Sequence, residues 1–155
     1  MNQPLVRLAT RDDVKSIVDF NRSMAMETEN ISLDKAVITQ GVEAIFDNSK
    51  HGFYIVCELE DKVRACLMIS YEWSDWRNGL FWWIQSVFVQ KEFRQQGLYK
   101  SMYDFIKTKA DLSEGIAGIR LYVDQNNTKA QSVYTKLGMI KSNYQLFEYV
   151  KVKKN

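Results

Sequence analysis

At 155 residues, 46% of them hydrophobic and 13% aromatic, the chain can bury the core of one domain, and no repeat, linker or low-complexity stretch divides it. A formal net charge of +2 excludes the strongly basic balance of a nucleic-acid binder, and the one basic run, Lys151-Val-Lys-Lys-Asn155, reads as a solvated terminus. No apolar run approaches membrane-spanning length, and Met1-Asn-Gln-Pro-Leu5 lacks a basic region followed by an apolar one, so the expectation is a cytoplasmic protein without a membrane partner.

Leu5-Val-Arg-Leu-Ala9 alternates as a short strand does, and Thr10 with Asp12 and Asp13 behind it marks a helix start with acids in its first turn. Val14, Ile17, Val18, Asn21 and Met24 then share one face of a helix ending near Glu27. After a linker that brings Glu27 and Glu29 close together, Ser32-Leu-Asp34 offers a second cap, and Val37, Ile38, Val42, Ile45 and Phe46 mark another amphipathic helix. His51-Gly52 breaks it. The lone His51 has no Ser, Cys or second His at a useful spacing and receives no role. Phe53 to Leu59 and Val63 to Tyr71 read as strands, and their three-residue polar connection is too short for a parallel crossover, so they form a hairpin. Cys57 and Cys66 lie in these apolar segments with no CxxC pattern or His partner. They read as buried free thiols in a reducing compartment, and no metal site is indicated.

Glu72-Trp-Ser-Asp-Trp-Arg-Asn-Gly79 reads as a polar, aromatic connection to a third long strand, Leu80 to Val89. Trp73, Trp76, Trp82 and Trp83 fall close together. Trp82 and Trp83 are expected to pack one on each sheet face, and Trp73 and Trp76 to wall a substrate pocket. Further on, Gly115 to Gly118 returns the chain to a strand, Ile119 to Val123. A strand, a helix and a strand in that length imply a parallel crossover. Asp124-Gln-Asn-Asn127 then caps a helix carrying Ala130, Val133, Tyr134 and Leu137 and stopped by Gly138. Met139-Ile140 and Tyr144 to Val152 read as the final strands.

The most informative stretch runs from Gln85 to Tyr103. Val87, Phe88 and Val89 continue a strand, whereas Leu98, Met102, Phe105 and Ile106 recur at helical spacing, so the period changes from two to 3.6 across Gly97. A glycine in that turn lets backbone approach a ligand, and the N–H groups of Gln96 to Lys100 sit at a helix N-terminus, which is an anion site. Arg94 and Lys100 add positive charge at its two ends, which suits a pyrophosphate. For one glycine alone, an ordinary strand-to-helix turn with a surface arginine is the favoured reading.

The surrounding pattern resembles the GCN5-related N-acetyltransferases over nearly the whole chain. Arg94-Gln-Gln-Gly97-Leu-Tyr99 matches the family's pyrophosphate motif, Arg/Gln-x-x-Gly-x-Gly/Ala, except that Tyr99 replaces the small last residue. Asn127, Ala130, Tyr134 and Gly138 match a second pattern, Asn-x-x-Ala-x-x-x-Tyr-x-x-x-Gly, throughout. The resemblance implies an α/β (α+β) single-domain fold spanning 1–155, with a mixed, mostly antiparallel, splayed sheet of six to seven strands flanked by about four helices. It implies acetyl-CoA as co-substrate and no metal. Val87, Phe88 and Val89 would offer backbone groups to the pantetheine arm, and Arg94, Gln95, Gln96, Gly97, Leu98, Tyr99 and Lys100 would hold the pyrophosphate. Asn127 and Ala130 would lie along the other side of the arm. Tyr134, seven residues after Asn127 and hence on the same helix face, would protonate the departing sulfur as general acid. Outside that pattern Tyr134 is an aromatic core anchor.

The sequence is nearest to the spermidine/spermine (diamine) acetyltransferase branch around Met26 to Glu29, Tyr71 to Asp75 and Ile84 to Val89. That branch keeps a Glu where this chain has Gln85, which cannot act as a base. Glu27, Glu29, Glu72 or Asp75 would then work through water, or the amine would arrive deprotonated, with Gln85 holding substrate by hydrogen bonds. Those carboxylates beside Trp73 and Trp76 suit a cationic substrate: a small amine, diamine, amino acid or aminoglycoside-like molecule, or a protein lysine. The alternative is a non-catalytic acyl-CoA-binding module, for which Gln85 and Tyr99 speak and against which Tyr134 does. The partners expected are a small-molecule amine and no nucleic acid. A homodimer through Tyr144 to Val150 and a monomer are equally compatible with the composition.

Overall fold

The computed structural model describes residues 3–152, in two compact units divided between Tyr122 and Val123. In the first, β1 (Leu5–Leu8), β2 (Gly52–Leu59), β3 (Lys62–Ser74), β4 (Gly79–Val89) and β5 (Ile116–Leu121) form one sheet in chain order. The first three pairings are antiparallel, and β4 pairs with β5 in parallel. The mixed, mostly antiparallel α+β class is as the sequence implies, with five strands among the described residues.

The reason for the lower count is local. Met139-Ile140 and Tyr144 to Val152 alternate as strand formers do, but they form no strand in the described residues. Side-chain pattern sets which face a strand would bury, whereas strand geometry needs a backbone partner. Two boundaries also move. β3 runs on through Glu72 and Trp73, which pair with Phe81 and Leu80, so the polar connection shrinks to Asp75–Asn78. Gly118, read as part of a turn, is already a rung of β5 opposite Phe81.

Helix α1 (Val14–Glu29) closes on Asn30 at φ 53°, with the Asn30 and Ile31 N–H groups donating to Met26 O and Ala25 O, a left-handed cap supplied by Asn in place of Gly. Helix α2 (Lys35–Asp47) is capped as expected, the Asp34 carboxylate accepting from Val37 N–H at 3.0 Å. Ile17, Val18 and Phe20 of α1 and Val42 of α2 form a core with Tyr54, Val56, Cys66 and Phe88 on one sheet face. The alternate strand residues Ile55, Leu67 and Ile69 are fully buried, and α3 (Leu98–Leu112) packs against β2, β3 and β5 through Leu98, Met102 and Ile106. Each such aliphatic side chain contributes about 1.5–3 kcal/mol relative to exposure. Cys57 and Cys66 are free and buried, and burial pushes their thiols up to about 11 and about 12.

One buried charge pins β1 to the start of α1. Asp13, 5% exposed, accepts a two-pronged pair of hydrogen bonds from Arg7 at 2.8 and 3.0 Å and a third from Thr10 N–H at 2.7 Å, while Arg7 also donates to Glu58. Burial pushes the Asp13 carboxyl up, but Arg7 and the Thr10 amide outweigh it and hold it below the ordinary carboxylate range. Its folded pKa is therefore the lower one, so the stability it lends is complete above the unfolded value near ~3.9 and is lost as pH falls through the folded value. We expect Asp13→Asn to lower unfolding free energy by about 1–3 kcal/mol at pH 7. Urea titrations at stepped pH should show the gap to wild type narrowing below about pH 4, and a constant gap would contradict the assignment.

Helix α4 (Thr128–Lys136) is the regular element of the second unit among the described residues.

Candidate active site

The centre of the first unit's site is an irregularity in β4. Cys66 pairs with Phe88 and Met68 with Gln85, so Ser86 and Val87 together face Leu67, and Ser86 sits at φ 51°. This is a β-bulge. It turns the strand beside Gln85, and Cys66 Sγ lies 4.0 Å from Ser86 O behind it. Pairing with β5 ends at Ile84 opposite Leu121, although β4 continues to Val89. The backbone of Gln85 to Val89 therefore has no ladder partner on its β5 side among the described residues. That open edge is what an extended amide-bearing chain needs in order to add as a further strand.

The same strand leads into the anion turn. After a short 3-10 turn at Lys91–Phe93, Gln95 adopts φ 62° and Gly97 φ 79°, and Gly97 is the N-cap of α3 with no side chain closing the helix end. A Cβ on Gly97 would meet nothing within 4 Å, so the left-handed backbone, not crowding, is what calls for glycine here. With no capping side chain, the first-turn amides of α3 point out of the helix toward the turn. Arg94 donates from Nε to Val89 O at 2.9 Å, from Nη2 to Glu27 Oε2 at 2.7 Å, and lies over the Phe88 ring. Its guanidinium is thus held at the mouth of the turn. Lys100 pairs with Asp104 one helical turn on, at 2.6 Å, and Gln96 donates to Glu92 O. Tyr99 packs near Tyr103 at 6.4 Å between ring centres. Leu98 and Phe88 are core side chains and bring only their backbone to the site.

The carboxylates are distributed differently from the simple picture of an acidic substrate wall. Glu27 is bound to Arg94, and Glu72 accepts from Arg120 at 2.6 Å while Arg120 lies 3.5 Å over the Phe81 ring. Asp75 accepts from Trp76 N–H at 2.8 Å within the β3–β4 turn. Glu29 ends α1 and is exposed. Trp73 is 61% and Trp76 89% exposed at that hairpin end, while Trp82 is buried edge-on against Phe53 and Trp83 lies tilted against Tyr122 with ring centres 4.5 Å apart. Gln85 donates from Nε2 to Ser70 Oγ across the β3–β4 ladder, so its amide orientation is fixed beside the bulge. Ser86, Ser70 and Arg120 carry no motif that would have singled them out.

In the second unit Asn127 is the N-cap of α4, its Oδ1 accepting from Ala130 N–H at 3.1 Å, and Gln131 ties back to Asp124 O and Gln125 O. Asn127 and Ala130 thus set where α4 begins. Tyr134, two turns along, is half-buried, and burial pushes its phenol above the usual value of 10. It remains a protonated donor at neutral pH. Met139 N–H returns to Tyr134 O past Gly138, at φ 92°. No group of three or more His, Cys, Asp or Glu residues able to hold a metal ion occurs among the described residues.

A family model described as the acetyltransferase (GNAT) family matches residues 17–139. Among solved structures, a possible acetyltransferase from Clostridium difficile 630 is 43% identical, with 97% of this chain and 99% of that chain covered and a TM-score of 0.90. Two more distant structures carry a likeness of fold alone. Glucosamine-6-phosphate N-acetyltransferase from Arabidopsis thaliana is 21% identical over 96% of this chain and 99% of that one, TM-score 0.74. A predicted acetyltransferase with acetyl-CoA from Clostridium acetobutylicum is 17% identical over 95% and 96%, TM-score 0.75. No curated protein matches the chain.

Proposed function

The chain belongs to the GNAT acetyltransferase family, and from that premise we propose that it acetylates a small-molecule primary amine directly from acetyl-CoA in the cytoplasm. The observation that carries this reading is the open β5-side edge of Gln85 to Val89 running directly into the Gly97 turn. An edge of amide donors and acceptors followed by a helix N-terminus matches a pantetheine amide chain followed by a pyrophosphate. The match of the family model on both sides of the Tyr122–Val123 division supports reading both units as one N-acetyltransferase domain.

The residues divide the chemistry between them. Backbone groups of Val87, Phe88 and Val89 hold the donor in line, Arg94 and the amides of Gln95 to Lys100 take its pyrophosphate, and Asn127 and Ala130 set the start of α4. An alkyl ammonium has a pKa near ~10 and must shed a proton before its nitrogen can attack the thioester carbonyl. Glu27 and Glu72 are held by Arg94 and Arg120, and Asp75 stands in the turn beyond Ser74 and Gly79, six residues of ladder from Gln85, so Glu29 is the acid assigned to take that proton through water. As the new C–N bond forms and the C–S bond breaks, Tyr134 gives its phenolic proton to the sulfur. Gln85, fixed by Ser70, positions the acceptor by hydrogen bonds. It stands where the diamine branch has its Glu, so no polyamine specificity is assigned to this chain.

Incubating the protein with acetyl-CoA and a panel of small primary amines while following thiol release tests the proposal. Release should depend on the amine and yield its N-acetyl product. Release without an acceptor, or acetylation of alcohols alone, would overturn it.

A further inference from the structure

We propose that the cavity between the last turns of α1 and the segment leading to α2 is an anion subsite, and that the acceptor is an amine that also carries a carboxylate or phosphate. The proposal rests on the amine-acetylation reading above and names its substrate class.

The cavity is an open groove of about 390 Å³ lined by Arg22, Ser23, Met26, Glu27, Ser32 and Leu33, of which Ser23, Met26, Glu27 and Ser32 are exposed and Arg22 and Leu33 are half-buried. Its distinguishing group is Arg22. The chain has seven arginines, and six of them are engaged: Arg7 with Asp13 and Glu58, Arg11 with Asp47, Arg64 with Glu60 and Phe93, Arg77 over Phe81, Arg94 with Glu27, and Arg120 with Glu72. Arg22 is half-buried and takes part in none of the described ion pairs, hydrogen bonds or ring contacts. Neither Asp19, one turn before it, nor Glu29, two turns after it, is paired with it. A guanidinium keeps its charge at any physiological pH, and its planar fork is shaped for a carboxylate or phosphate.

The rest of the lining agrees. The other charge there, Glu27, is already neutralised by Arg94 at 2.7 Å, so Arg22 leaves the cavity with a net positive charge. The hydroxyls of Ser23 and Ser32 make no hydrogen bond among the described residues and can donate to an anion. Met26 and Leu33 supply apolar wall for a short carbon skeleton. Because Glu27 bridges to Arg94 of the pyrophosphate turn, the cavity adjoins the donor's site within the same unit. A phosphate of the donor is the other source of the same chemistry.

Matched acceptors separate these sources. Binding of phosphoethanolamine against ethanolamine, and of β-alanine against propylamine, is measured by calorimetry on the CoA-loaded protein, for wild type, Arg22→Gln and Arg22→Lys. The anionic member of at least one pair should bind about tenfold tighter or more to wild type. Arg22→Gln should erase that preference, Arg22→Lys should keep part of it, and CoA affinity and thermal midpoint should be unchanged. Equal binding within both pairs, binding of none of the four, or a preference that survives Arg22→Gln would overturn the proposal. Weakened CoA binding in Arg22→Gln with no effect on acceptors would overturn it too, assigning the anion to the donor. If wild type acetylates ethanolamine and propylamine without preference, the subsite fails and amine acetylation stands. If the anionic amines bind and none is acetylated, the reverse holds.

Discussion

Replacing Gly52 by alanine is expected to lower unfolding free energy by about 3 kcal/mol or more, which is about 6–12 °C in thermal midpoint for a chain of this size. Gly52 opens β2 opposite Ser70 with φ at 140°, a conformation L side chains rarely adopt. A Cβ there would stand 1.8 Å from Ile69 O and 3.1 Å from Ser70 Cα. Both are backbone atoms in the middle of the sheet, so no side-chain rotation relieves the overlap, and the end of β2 must leave the ladder. Ser70 is also the partner of Gln85, so the disturbance reaches the bulge. The matched control is Gly41, exposed in the interior of α2, where a Cβ meets nothing within 4 Å. Gly41→Ala should stabilise the protein by about 0.5–1 kcal/mol, because alanine loses less backbone freedom in a helix. Opposite signs in parallel thermal melts are the expected result. A Gly52→Ala protein that melts with wild type would show that β2 starts later than Gly52.

The hairpin, the crossover and both helix caps at Asp34 and Asn127 were legible because each is a local matter. A connection read as three residues, and only Glu60-Asp61 in the structure, forces antiparallel pairing, and a short polar side chain before a periodic run accepts from the amides just after it. The turn from β4 into α3 was legible for the same reason, the change of period falling on Gly97. Three features lay outside such reasoning. The bulge at Ser86 puts a serine at positive φ, where the sequence shows an ordinary strand run from Leu80 to Val89. The carboxylates Glu27 and Glu72 find their arginines 67 and 48 residues away, so their availability to a substrate depends on tertiary structure that periodicity does not encode. Arg22 was passed over for the complementary reason. A basic residue on the polar face of a helix looks solvated, and only the cavity and the missing counter-ion distinguish it.

Tyr134→Phe is expected to lower kcat about 100-fold while changing KM for acetyl-CoA and thermal stability little. The substitution keeps the ring and removes only the hydroxyl, so folding should shift by about 0.5–1.5 kcal/mol. Proton donation to a departing group contributes roughly 10²–10⁴-fold. A thiol with a pKa near ~8.5 is a fair leaving group even unprotonated, which places the loss at the low end of that range. Because the proton moves only as the C–S bond breaks, the deficit belongs in kcat and not in donor binding. The pH profile gives a second readout. Burial raises the phenol above its ordinary value of 10, so the proton is present across neutral and mildly alkaline pH. Wild-type kcat should therefore climb as the acceptor ammonium deprotonates and fall only above the ordinary tyrosine range, whereas the variant should lack that alkaline fall. A Tyr134→Phe enzyme within about threefold of wild type, with the same alkaline limb, would assign the sulfur's proton to water and leave Tyr134 as an anchor of α4.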